Sequence, residues 1–188
     1  MNNNSKYFAE DFTRTIPAAY YINNFRDTEK FLECCRACGN FGRSWGCPPF
    51  DFDTDALLAQ YVKVLLVATK IYPQQHNLPI GVSQQLIRPE RIRLESRLLE
   101  LEKISGGRAF AYIGTCLHCQ SDSCVRISGL PCRHPDLVRP SLESFGFDIS
   151  RTASELFGIQ LLWGSDGLIP EYLTLVCGLF FNGDVPDF

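Results

Sequence analysis

An α/β or α+β fold is what the sequence predicts: a central mixed sheet of about four strands, helices packed on it, and two cysteine-rich metal-binding loops. Three observations lead there. Runs of β-branched and aliphatic residues alternate along the chain with charged segments whose leucines recur at helical spacing. Proline and glycine pairs, Pro48-Pro49 and Gly106-Gly107, mark the breaks between them. Eight of the nine cysteines fall into two short crowds instead of being scattered through the apolar runs.

Taken in order, residues 1–30 are polar and mixed, a lead-in in which "TRTIPAAYYI" reads as one short extended piece. The first cysteine loop occupies 34–50 and ends at Pro48-Pro49, which cannot continue a helix and sends the chain out extended. "DTDALLAQY" is a short helix with Asp53, Thr54 or Asp55 as its cap. "VKVLLVATKIY" (62–72) has the composition of a buried strand.

Pro73 and Pro79 bracket a loop. The main helix follows at about 82–104, with Leu94, Leu98 and Leu101 on one face, Pro89 starting or kinking it, and Gly106-Gly107 ending it. "RAFAYIGT" (108–115) is a strand that delivers the chain into the second cysteine loop, 116–135. Two helical pieces then start at Ser141 and Asp148, both of them N-cap residue types. "IQLLWG" and "EYLTLVCGLFF" read as two strands joined in a hairpin by "SDGLIP".

Bulk properties bound the function. At 188 residues, 45% hydrophobic and 21% charged, the chain suits a single domain, 1–188, with a core that needs no cross-links. The N-terminus carries acidic residues and aromatics where a signal peptide has a basic and then an apolar region, and "LTLVCGLFF" is too short to span a bilayer. A cytoplasmic protein with no membrane contact is expected. Net charge is −3, and the arginines of "IRPERIRLESR" alternate with glutamates, so no nucleic-acid partner is expected.

In a reducing compartment, dense cysteines point to metal before disulfides. Each crowd contains a Cys-x-x-Cys pair, Cys35/Cys38 and Cys116/Cys119, which turns two thiolates toward one metal from a single tight turn. The second crowd, Cys116, Cys119, Cys124 and Cys132, follows C-x2-C-x4-C-x7-C. Four thiolates this close in sequence suit wrapping of one iron–sulfur cluster, expected to be of the 4Fe–4S type, better than the separated knuckles of a structural zinc site, and zinc is the alternative.

The first crowd is C-C-x2-C-x8-C. Side chains of adjacent residues diverge, so Cys35, Cys38 and Cys47 are the expected ligands and Cys34 a possible one. His134, Arg133, Trp45 and Glu143 are the expected neighbours of the ligands. His118 and His76 are read as surface or supporting residues. Cys177, inside an apolar strand, is read as a small buried hydrophobe.

Two stretches carry a resemblance. "CRACGNFGRSWGCPPFDFD" has closely spaced cysteines, Phe41, and the run Trp45, Cys47, Pro48, Pro49, Phe50. "CLHCQSDSCVRISGLPCRHPDLVRPSLESFGFDI" ends its loop in Cys132, Arg133, His134 and Pro135, followed by Pro140, Ser141, Glu143, Gly146 and Asp148. With the segments between them, the chain from about 31 onward resembles the family called domain of unknown function 2284, the predicted metal-binding proteins. The resemblance implies metal binding and an iron–sulfur cluster; it implies no particular reaction.

The leading expectation is therefore an iron–sulfur protein with a redox or electron-transfer role and a redox partner protein. The alternatives are a structural-zinc interaction module and an enzyme using an open position at a three-cysteine site, with Glu143, Arg133 and His134 as its acid–base and anion-binding groups.

Overall fold

The structure is a computed structural model that describes residues 6–111, 114, 116–119, 124–184 and 188. It is an α+β fold built on a four-stranded sheet in the order β1-β2-β4-β3. The strands are β1 (Tyr7–Pro17), β2 (Lys63–Pro73), β3 (Arg108–Phe110) and β4 (Leu173–Phe181). The strand number matches expectation, but all three pairings are antiparallel, so the sheet is not mixed.

The helices are α1 (Ala18–Phe25), α2 (Thr28–Ala37), α3 (Thr54–Leu58), α4 (Ser83–Ser105) and α5 (Ile149–Arg151), which continues as a π-helical turn over Thr152–Leu156. β2 is buried along most of its length, as its aliphatic run predicts, because both sheet faces are covered. Its alternate residues serve two cores. Val64, Leu66 and Ala68 face Tyr21, Phe25, Phe145 and Phe147, while Leu65, Val67 and Ile71 face Leu94, Leu98 and Leu101 of α4. The two buried faces supply the hydrophobic driving force, at roughly 25 cal/mol per Å² of apolar surface removed from water.

The local signals act as expected in several places. Asp53 caps α3 by accepting from the backbone N–H of Asp55 and Ala56, and Asp148 caps α5 by accepting from Arg151. Ser141 Oγ accepts from Ser144 N at the 3₁₀ turn Glu143–Phe145. Pro89 lies inside α4, and Gly106 ends that helix in the left-handed region. Gly107 is required by close packing, since a Cβ there would stand 2.4 Å from the Phe180 carbonyl oxygen.

Three expectations are corrected. The lead-in, 1–30, contains β1, α1 and the start of α2, and "TRTIPAAYYI" is strand up to Pro17 and helix from Ala18. β1 read as polar because it is an edge strand whose Glu10, Asp11 and Arg14 discourage further pairing. "IQLLWG" forms no strand and the hairpin is absent. β4 pairs with β2 along its length and with β3 at Gly178, Leu179 and Phe180, and residues 159–164 join neither. The strand read at 108–115 is described as strand over Arg108–Phe110; residues 112, 113 and 115 lie outside the described residues.

Candidate metal centre

The first cysteine segment is partly helix. α2 starts at its Asp27 cap, which accepts from Lys30 N at 3.0 Å, and its last turn carries Cys34 and Cys35. Cys34 is exposed while Cys35 is half-buried, which fits the divergence expected of adjacent side chains. At Cys38 the backbone turns extended, its N–H donating to the Cys35 carbonyl at 3.0 Å. Phe41 N then donates to the Cys38 carbonyl at 3.1 Å, and Cys47 N to the Ser44 carbonyl at 3.0 Å. The segment leaves through a cis Pro48–Pro49 bond, with Gly42 N donating to Pro48 O at 2.8 Å.

The second segment begins just beyond β3 and runs under α4. Cys116, His118, Cys119, Cys124, Cys132 and His134 line one cavity of about 700 Å³, with Asn40, Ser44 and Trp45 from the first segment closing another wall. Residues 120–123, inside this loop, lie outside the described residues. Arg43 and Arg88 also line this cavity and are exposed. His134 N donates to Cys132 Sγ at 3.3 Å, a contact that favours a thiolate. His118 Nε2 lies 2.7 Å from Glu95 Oε1 on α4, and Glu95 is buried. A histidine held by a carboxylate in this way has a set ring orientation.

Electrostatics divide the thiols into the two groups read from spacing. Burial, and then its neighbours Cys116, Cys124 and Cys119, raise the Cys132 thiol above its ordinary range. Burial and then Cys38 push the Cys47 thiol up to about 11. Burial raises Cys35 as well, followed by Cys38, Glu143 and Cys34. Protonated thiols are thus favoured until a cation replaces the protons. Among the described residues, no three Cys, His, Asp or Glu side chains converge on a single-ion position.

The groups adjoin. Asn40 donates from Nδ2 to Cys38 Sγ at 3.7 Å while lining the cavity of the second group. Arg126, on the 3₁₀ turn Val125–Ser128 of the second segment, donates to the carbonyls of Ser44, Cys47 and Pro49. Trp45 answers in the other direction, its Nε1 donating to Leu130 O at 3.2 Å. The end of the second segment is tied to α4 by Arg139, whose Nε and Nη2 grip the Glu102 carboxylate.

The residues expected beside the ligands divide accordingly. Trp45 and His134 line the cavity. Arg133 is exposed, and neither it nor Glu143 is among the residues that line this cavity. Glu143 belongs instead to the underside of α2, because its turn packs on that helix. Arg126, Arg139, Asn40 and Glu95 were not anticipated. The partners of Arg126, Arg139 and Glu95 lie on segments distant in sequence, and no local pattern marks them, while Asn40 bonds Cys38 two residues before it. Cys177 is fully buried in β4 and its thiol is raised by that burial, as its apolar surroundings predict.

Residues 22–180 match the family model described as "Predicted metal-binding protein (DUF2284)". No curated protein and no solved structure matches the chain.

Proposed function

This chain belongs to the family of predicted metal-binding proteins, and we propose that it is an iron–sulfur protein with a redox or electron-transfer role. Cys116, Cys119, Cys124 and Cys132 hold a 4Fe–4S cluster, and Cys35, Cys38 and Cys47 bind a second metal centre beside it. The observation that carries this reading is that all four second-loop cysteines line one cavity of about 700 Å³. A four-thiolate zinc draws its sulfurs to about 2.3 Å from one ion, whereas a cluster occupies the space between them.

The donor set fits such a group. When bound, the cluster supplies reversible one-electron transfer. The chain's own residues prepare for it. The His134 N–H directed at Cys132 Sγ stabilises negative charge on that sulfur, and Asn40 does the same for Cys38. Arg43 and Arg88 at the cavity place positive charge near a cluster whose four thiolates make it anionic. Trp45, Phe50 and Phe52, with Pro131 and Pro135, form an apolar cleft against Cys132. That cleft is the contact offered to a redox partner protein.

The test is anaerobic purification with iron, acid-labile sulfide and zinc quantified on one sample. Matched iron and sulfide with broad absorption near ~400 nm support the reading. Colourless protein with stoichiometric zinc and no sulfide overturns it. Cys116→Ala and Cys35→Ala, made separately, should each remove only part of the metal.

A further inference from the structure

The cleft beside Cys132 has a volume of about 320 Å³ and apolar walls, with Trp45, Phe50, Phe52, Val138 and Pro140 among them. That is at the lower end of the range of small-molecule sites, about 300–1,000 Å³. Phe50 and Phe52 lie 5.3 Å apart between ring centres, and Phe50 rests on the buried Phe145 at 5.0 Å, so this wall is anchored in the core. Among the described lining residues, Arg108 is the one that carries a charge.

Strand alternation brings Arg108 to the cleft. In β3, Ala109 belongs to the core under α4 and Phe110 to the opposite core, so Arg108 shares the Phe110 side. Arg108 is half-buried, and its Nε has neither exposure nor a hydrogen-bond partner. The carboxylate that meets β3 at Ala109 is committed elsewhere. Both oxygens of Glu102 accept from Arg139, and Oε2 also accepts from Ala109 N at 2.6 Å. Burial, and after it the charge of Arg139, lower the Arg108 pKa from its ordinary value, although a guanidinium stays charged. A donor shut from water without an acceptor is costly, and in an apolar cleft it calls for a use.

We propose that this cleft binds a small organic acid, with its carboxylate on the Arg108 guanidinium and its apolar body against Trp45, Phe50 and Phe52. The guanidinium fork matches a carboxylate in two parallel hydrogen bonds. A phosphate is disfavoured because its extra charge and oxygens need further donors. Pro131, Pro135 and Pro140 of the lining have no N–H to offer. The site is made of side chains that need no metal to stand in place, so the inference does not rest on the cluster reading. A redox partner docking on this face would cover the seated acid.

The experiment titrates the full chain, purified anaerobically, with phenylacetate, 3-phenylpropionate and hexanoate by calorimetry and ligand-observed NMR. Phenylacetamide serves as the neutral counterpart, and inorganic phosphate as the competing anion. At least one of the acids should bind saturably at one site, with phenylacetamide and phosphate at least ten-fold weaker. Arg108→Met should weaken the acid at least ten-fold without lowering Tm, because the side chain it removes has no acceptor to strand. Saturable binding by none of the acids, or amide binding as tight as acid binding, would overturn the proposal. So would tighter binding of phosphate, or acid binding unchanged in a folded Arg108→Met. The comparison of acid with amide uses the unaltered chain and does not depend on the variant folding. Iron and sulfide measured on the same sample separate this outcome from that of the cluster.

Discussion

The Arg126 guanidinium lies 5.1 Å above the indole ring of Trp45 and hydrogen-bonds the carbonyls on either side of it in the first cysteine segment. One side chain from the second segment thus holds three backbone acceptors of the first, at Ser44, Cys47 and Pro49. Arg126→Ala leaves these carbonyls without their donor. The expected loss is about 2 kcal/mol, since hydrogen bonds to charged groups contribute about 1.5–3 kcal/mol. In a chain of this size that lowers Tm by about 4–8 °C. Trp45 emission should also shift to longer wavelength, measured in a Trp163→Phe background because Trp163 is 82% exposed and would dominate the signal. Unchanged Tm and emission would mean the two segments are held together by other contacts.

The Arg139–Glu102 pair closes the other end of the second segment, with side chains 9% and 13% exposed. Removing one partner strands the other, so Arg139→Ala should cost about 3–5 kcal/mol in urea unfolding. Glu102 also accepts from Ala109 N at 2.6 Å, at the start of β3, so Glu102→Ala should cost at least as much. The double variant should fall short of the sum by about 0.5–3 kcal/mol. Strict additivity would show the two residues acting independently.

Cys177 provides a control for the metal reading. It is buried in β4 with Leu175 and Leu179 in the core beneath α4, and its Sγ is 3.9 Å from the Val67 carbonyl. Cys177→Ala should leave metal content and visible spectrum unchanged while lowering stability by about 1 kcal/mol through a small cavity. Loss of metal in this variant would place a ligand where the fold has a core residue.

The buried thiols make the metal-free protein sensitive to alkali. Cys35, Cys47, Cys132 and Cys177 are all raised by burial, Cys47 to about 11 against an ordinary 9.0. Above pH 9.0 the unfolded chain loses these protons first, so the stability held by the neutral thiols is full below that value and is lost as pH rises toward 11. The urea midpoint of metal-free protein should therefore fall across this window. In the loaded protein the ligand thiols are already deprotonated, and the fall should be much smaller. Equal slopes in both forms would mean that the thiols contribute nothing to the difference.

Much was legible in the amino-acid order because the signals were local. The grouping of cysteines, the caps at Asp53 and Asp148, the buried strand at 62–72 and the leucine face of the main helix each depend on residues within one or two turns of each other. Hydrophobic periodicity and capping chemistry act at that range, so they are written in the chain itself.

Tertiary structure decided the rest. β1 is a strand because β2 has a free edge to receive it, although its own alternation of polar and apolar residues is weak. Residues 159–164 are not a strand, despite an apolar sequence; β4 pairs with β2 and β3 instead. The docking of the cysteine segments rests on Arg126 reaching residues roughly eighty positions earlier, and Glu143 is carried under α2 by a turn more than a hundred residues away from Cys35. Long-range partners of this kind are selected by packing and by the satisfaction of buried polar groups, which depend on what the folded surroundings leave available rather than on neighbours in sequence. The cysteines by themselves determined that this chain gathers metal ligands; the three-dimensional fold decided which of them share a cavity and what stands beside them.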